Sequence, residues 1–105
     1  FTIGEMENAF AGAAMALDHM IRNAETSQPS PETTNRAMIG RTLVGRNAIL
    51  TVERAMEAAG GAGFYRDTGL ERAFRDVQGA RYHPLQEKAQ LRYTGRLALG
   101  LDIDS

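Results

Sequence analysis

A chain of 105 residues can bury one hydrophobic core and little more. Its 12 basic and 13 acidic side chains are spread along the length, so charge points neither to nucleic acid nor to an anionic membrane surface, and no apolar run reaches the roughly 18 residues of a spanning helix. The absence of cysteine excludes a disulfide framework, a CxxC redox pair and a thiolate zinc site; it fits an intracellular protein, and a cytoplasmic location is expected.

A helical pattern begins almost at Phe1, so the expectation is a single helical domain over residues 1–105 that is part of a longer chain. Ile3, Met6, Phe10, Ala13, Leu17, Met20 and Ala24 recur at spacings of three and four, which predicts a first helix over about residues 4 to 25 with one buried stripe. "TSQPSPE" then breaks the pattern. Ser30 offers a side-chain oxygen to the next free N–H groups and Pro31 is tolerated at a first helical position. From Glu32 to about Ala59, Met38, Thr42, Gly45, Ile49, Val52, Met56 and Ala59 hold the same rhythm through a helix about 42 Å long. Two long antiparallel helices with a tight connection predict an all-α, up-and-down helical bundle. Small residues at Gly12, Ala13, Ala16, Gly40, Gly45, Ala48, Ala55, Ala58 and Ala59 suit close helix approach.

Thr68-Gly69-Leu70-Glu71 has the form of a capping box, with Glu71 placed to reach back to the Thr68 N–H. It opens a third helix that carries Leu70, Phe74 and Val77 inward and ends near Gly79. His83-Pro84 opens a fourth, bearing Leu85, Ala89, Tyr93 and Leu97. Two long helices, one medium and one short make an awkward set for closing a core. A further long helix, from upstream sequence or from another copy of the chain, is expected to complete the bundle.

The run Gly60-Gly61-Ala62-Gly63 lacks the Lys-Ser/Thr of a P-loop and the preceding strand of a dinucleotide-binding fingerprint. Gly60 reads as a left-handed residue ending the long helix. Gly61 and Gly63 ask for tight turn geometry or for bare backbone approached by a ligand phosphate, and spacing alone favours the structural reading. In "GLERAFRD", Glu71 and Arg75 stand four apart, which makes a self-paired solvated face or a docking surface. His19 lies beside Leu17 and Met20 with no second histidine or cysteine near it and is given no role. His83 either caps the fourth helix or acts as an acid or base near neutral pH.

Taken in order, a helix running into Gly60-Gly61-x-Gly63-Phe64, a polar turn, then Leu70-Glu71-Arg72-x-Phe74-Arg75-Asp76 resembles a region of the acyl-CoA dehydrogenase family. The motif lies within residues 55–83, and helix order and length extend the resemblance over nearly the whole chain. It implies the C-terminal four-helix domain of an FAD-binding homodimer or homotetramer. The family's first long helix has no counterpart here, which would account for a bundle one helix short. By resemblance the glycine loop reaches the pyrophosphate and adenosine end of a neighbouring subunit's FAD, together with a glutamine three positions before the first glycine. Glu57 stands at that place, so the cofactor-binding candidates are Glu57, Gly60, Gly61 and Gly63. The implied reaction is α,β-dehydrogenation of an acyl-CoA thioester: a base removes the α-proton, hydride passes from the β-carbon to flavin N5, and an electron-transfer flavoprotein-like acceptor reoxidises the flavin.

Many members place a glutamate base eight residues after the Asp of the Arg-Asp pair, where this chain has Pro84. Flavin-dependent hydroxylases of the same fold carry a histidine shortly after that Arg-Asp. This makes His83 the candidate catalytic residue and a monooxygenase using reduced flavin and oxygen the alternative. A non-catalytic helical dimerisation module is the third reading.

Overall fold

The computed structural model describes residues 1–60, 69–79 and 84–104. They form α1 (Thr2–Thr26), α2 (Pro31–Ala59), α3 (Leu70–Val77) and α4 (Pro84–Ala98), with no strand among the described residues. The chain is all-α, an up-and-down helical bundle, in which α2 packs against each of the other three helices.

The entry to α2 follows from its first residues. Ser30 is the N-cap, its Oγ accepting the Thr33 N–H at 3.1 Å, and Pro31 occupies the first helical position, where its missing N–H costs nothing. Thr33 Oγ1 donates to the Gln28 carbonyl at 2.6 Å and ties the incoming chain to the cap. The connection is therefore short and rigid, and it sets α2 antiparallel to α1.

Contacts between α1 and α2 fall on one line of α2 with a seven-residue spacing. Asn23 Nδ2 donates to the Thr33 carbonyl at 3.1 Å; Gly40 lies against Met20 and Ala16; Asn47 lies against Gly12; Arg54 pairs with Glu5. A seven-residue repeat keeps one seam of each helix facing the other. The seam is made of small residues, since Ala9, Ala16 and Gly40 are the buried positions here. A Cβ at Gly40 would fall 2.3 Å from Met20 Cγ and 2.8 Å from its Sδ, so the backbones approach as far as glycine permits.

This close seam corrects the expected stripe on α1. Ala13 and Met20 turn toward α2, but Ile3, Phe10 and Leu17 remain 54, 62 and 50% exposed. The apolar arc of α1 is wider than one neighbour can cover, and the small residues select which half meets α2. The open half, extended by Ile21, is a face on which a further helix could pack. In keeping with a thin core, the molecule measures 50 × 27 × 23 Å, and its radius of gyration is 16.4 Å, against about 13 Å for a compact chain of this length.

On α4 the expected inward set is also revised. Pro84 begins the helix as expected, yet Ala89 is exposed and the buried residue is Gln90, only 4% accessible. Gln90 Nε2 donates to Thr94 Oγ1 at 2.8 Å, and Thr94 Oγ1 donates to Asn35 Oδ1 of α2 at 2.5 Å. Tyr93 OH donates to the Pro31 carbonyl at 3.3 Å, and Arg46 pairs with Glu87. A polar line that includes the expected Tyr93 thus docks α4 on α2, antiparallel; of the rest of the apolar set Ala89 is exposed, Leu97 is half-buried, and the side chain of Leu85 lies outside what is described. The far end of α4 closes on Gly100, at φ 71°, with the Leu101 N–H on the Arg96 carbonyl at 2.8 Å and the Gly100 N–H on Leu97 at 3.1 Å.

For α3 the N-cap is Gly69, at φ 77° and without a side-chain cap, so the helix starts one residue later than the expected cap at Thr68. Glu71 has its Oε1 2.8 Å from Arg75 Nε, an opposite charge four residues on. Thr68 lies outside the described residues.

Candidate functional site

Of the sequence-predicted cofactor residues, Glu57 and Gly60 lie at the C-terminal end of α2. Gly60 is the C-cap; its N–H reaches the carbonyls of Glu57 and Met56, and its backbone sits at φ 60°, ψ −137°. The positive φ matches the expectation of a glycine-only position. The ψ value does not, since a left-handed cap would lie near +47°. Gly60 therefore lies outside the left-handed cap conformation. Gly60 is exposed, and among the described residues an added Cβ would meet nothing within 4 Å. Substitution there is opposed by backbone strain.

One turn earlier stands Glu57, 57% exposed at its side chain, its Oε2 accepting from Arg54 Nη1 at 3.1 Å. The same guanidinium donates from Nε to Glu5 Oε2 of α1 at 3.3 Å. Arg54 is itself only 26% exposed and is held by carboxylates from two helices. Sequence reasoning passed over Arg54. Its three-residue spacing to Glu57 was visible in "ERAMEAAGG", but Glu5 is 49 positions away.

Gly61, Gly63 and Phe64 lie outside the described residues, as does His83, which directly precedes the first residue of α4. Beyond the glycines, α3 presents Arg72 and Arg75 to solvent, each paired along its own helix, with Asp76 at 3.8 Å and Glu71 at 2.8 Å. These arginines form a self-paired face. Glu71 Oε2 is buried with no partner among the described residues. His19 is exposed on α1, and among the described residues no group of three or more His, Asp or Glu is placed to hold a metal ion. Also among them, no helix is long and apolar enough to cross a membrane.

A second concavity lies at the opposite end of α2. It is an open crevice of about 500 Å3 between Met20 and Asn23 of α1 and Thr33, Met38 and Arg41 of α2. Arg41 and Gly60 are separated by about 28 Å of helix, so the crevice and the glycine corner are distinct places.

An all-α bundle whose longest helix ends on an exposed, positive-φ glycine, followed by a short helix of paired arginines and acids, is the class that fold and corner define. The chain belongs to the acyl-CoA dehydrogenase family: residues 1–87 match the family model described as acyl-CoA dehydrogenase, C-terminal domain. The matched stretch takes in α1, α2, the glycine run, α3 and the first turn of α4. Neither the curated proteins nor the solved structures contain a match to the chain.

Proposed function

We propose that residues 1–105 form the single C-terminal helical domain of an FAD-dependent acyl-CoA dehydrogenase that carries out α,β-dehydrogenation of an acyl-CoA thioester. The observation that carries this reading is the family match, which runs through the glycine corner and the Leu-Glu-Arg/Arg-Asp helix together. The domain adds residues to FAD across a subunit interface and helps build a homodimer or homotetramer located in the cytoplasm. An electron-transfer flavoprotein-like partner takes the electrons.

The described part of the corner leaves room for a dinucleotide, and Arg54 offsets part of its negative charge. Gly60 leaves open space where a side chain would stand, and the Glu57 carboxylate is tied to Arg54 instead of standing bare. Gly60, Gly61 and Gly63 are the residues that would hold the pyrophosphate end, with Glu57 beside them. When bound, the flavin supplies the electron acceptor for the dehydrogenation. This domain's own share is binding and orientation, and alone it is inactive. The complete protein should purify yellow and bleach when an acyl-CoA is added without oxygen. A colourless protein that takes up no FAD would end this reading.

A second reading is favoured by the start of α4. Its first residue, Pro84, has no acid–base function and stands where the resemblance places a glutamate base. In this reading His83 deprotonates the substrate of a monooxygenase that uses reduced flavin and oxygen. Oxygen-dependent hydroxylation lost on His83→Ala supports it, whereas oxygen-independent dehydrogenation surviving that change returns the assignment to the first reading.

A further inference from the structure

We infer that Arg54 is a positioning residue for the flavin corner: by holding the Glu57 carboxylate against α2 it limits the negative charge that an anionic dinucleotide meets there. The inference rests on the proposed flavin binding and adds to it a residue that the glycine motif does not include.

The C-terminal end of a helix carries about half a negative charge on its unpaired carbonyls. Lysine or arginine in the last turn commonly offsets it, but the last turn of α2 has no basic residue. Glu57 instead adds a full negative charge three residues before Gly60. The resemblance places a neutral glutamine at this position, so this chain has made the approach to its own glycine loop more anionic. A pyrophosphate arriving there meets like charge, which disfavours binding.

Arg54 is placed to counter this. Its Nη1 holds Glu57 Oε2 at 3.1 Å, and its Nε is fixed on Glu5 Oε2 at 3.3 Å, so the guanidinium is anchored from α1 while it restrains a carboxylate of α2. Of the three side chains Arg54 is the most covered, 26% exposed against 52% for Glu5 and 57% for Glu57. A planar guanidinium suits this double task, because its N–H groups diverge at fixed angles; a lysine ammonium provides the charge without the fork. Two carboxylates share this one guanidinium; without Arg54 both lose that countercharge and Glu57 loses its restraint.

The test is FAD affinity of the complete apoprotein at low salt, read by quenching of flavin fluorescence, for wild type, Arg54→Gln, Glu57→Gln, Glu5→Gln and the Arg54→Gln/Glu57→Gln double variant. Arg54→Gln should raise the FAD Kd about two- to fivefold, as expected for a partly exposed charge pair. Glu57→Gln should lower it by a similar factor, and the double variant should stay within about twofold of Glu57→Gln. Glu5→Gln, which cuts only the tie between α1 and α2, reports what that tie alone contributes; its Kd should change less than that of Arg54→Gln. Raising the salt to about 0.5 M should shrink the Arg54→Gln effect. Unchanged affinity in Arg54→Gln overturns the inference, as does an equal loss in the Glu57→Gln background, since Arg54 would then act on the ligand or the fold directly. A wild-type protein that binds no FAD removes the proposed function itself, a different result from wild-type binding that is indifferent to Arg54.

Discussion

The two sides of α2 are held by different forces. Toward α1 it presents Thr33, Gly40, Asn47 and Arg54, with Gly40 closed to contact distance under Met20 and Ala16. Toward α4 it presents Asn35, the Pro31 carbonyl and Arg46, which meet Thr94, Tyr93 and Glu87. The middle of the first contact is steric and dense, with the Asn23–Thr33 hydrogen bond and the Arg54–Glu5 pair at its two ends; the second is directional and depends on each donor finding its acceptor. The same helix thus shows two ways of setting a neighbour's register, one by shape and one by hydrogen-bond geometry.

The sharpest way to break this contrast is at Gly40. Gly40→Val should destabilise the protein by about 2–3 kcal/mol, measured by urea unfolding, because the new side chain falls on Met20 Cγ and the seam cannot widen without parting Ala9 and Ala16 from their cover. Met20→Ala in that background should recover part of the loss, whereas a change on the α4 side should not. Next in size is Thr94→Val, which removes the hydroxyl joining Gln90 to Asn35. It should cost about 1–2 kcal/mol, since Gln90 is buried and its Nε2 loses its acceptor. The smallest effect belongs to the Arg46–Glu87 pair, whose arginine is 62% exposed. Arg46→Ala should cost under about 0.5 kcal/mol and approach zero in high salt, while the Gly40→Val loss stays constant.

How far the sequence could anticipate this follows the same division. Helix lengths, the Ser30 cap, Pro31 and Pro84 at helix starts and the glycine end of α2 were all legible, because each rests on residues within one turn of the feature. The rotation of α1 was legible only in the small residues marked for close approach, Gly12 and Ala16, which meet Asn47 and Gly40. Three/four spacing marks an apolar arc, and only the small residues Ala9, Gly12 and Ala16, which a hydrophobicity pattern weighs lightly, show which part of the arc meets α2. The docking face of α4 was hidden for a related reason: Thr94 is read as polar and outward until Asn35, 59 residues earlier, is known to face it. Glu71 had two short-range options, a backbone N–H three positions back and an arginine four ahead, and spacing could not rank them. At the candidate site, Gly60 and Glu57 were named and Arg54 was not, since its anchoring carboxylate comes from the other end of the chain.

Because α1, α3 and α4 all pack on α2, that helix has few positions left uncommitted. Substitution tolerance along its 29 residues should therefore be set by which neighbour each position serves. A saturation library should show size-limited positions at Thr33, Gly40 and Asn47 and chemistry-limited ones at Asn35. Freely varying positions should be confined to residues that touch no other helix. Drift in this domain would then be faster in the helices that pack chiefly on α2 and slowest in the one that they share.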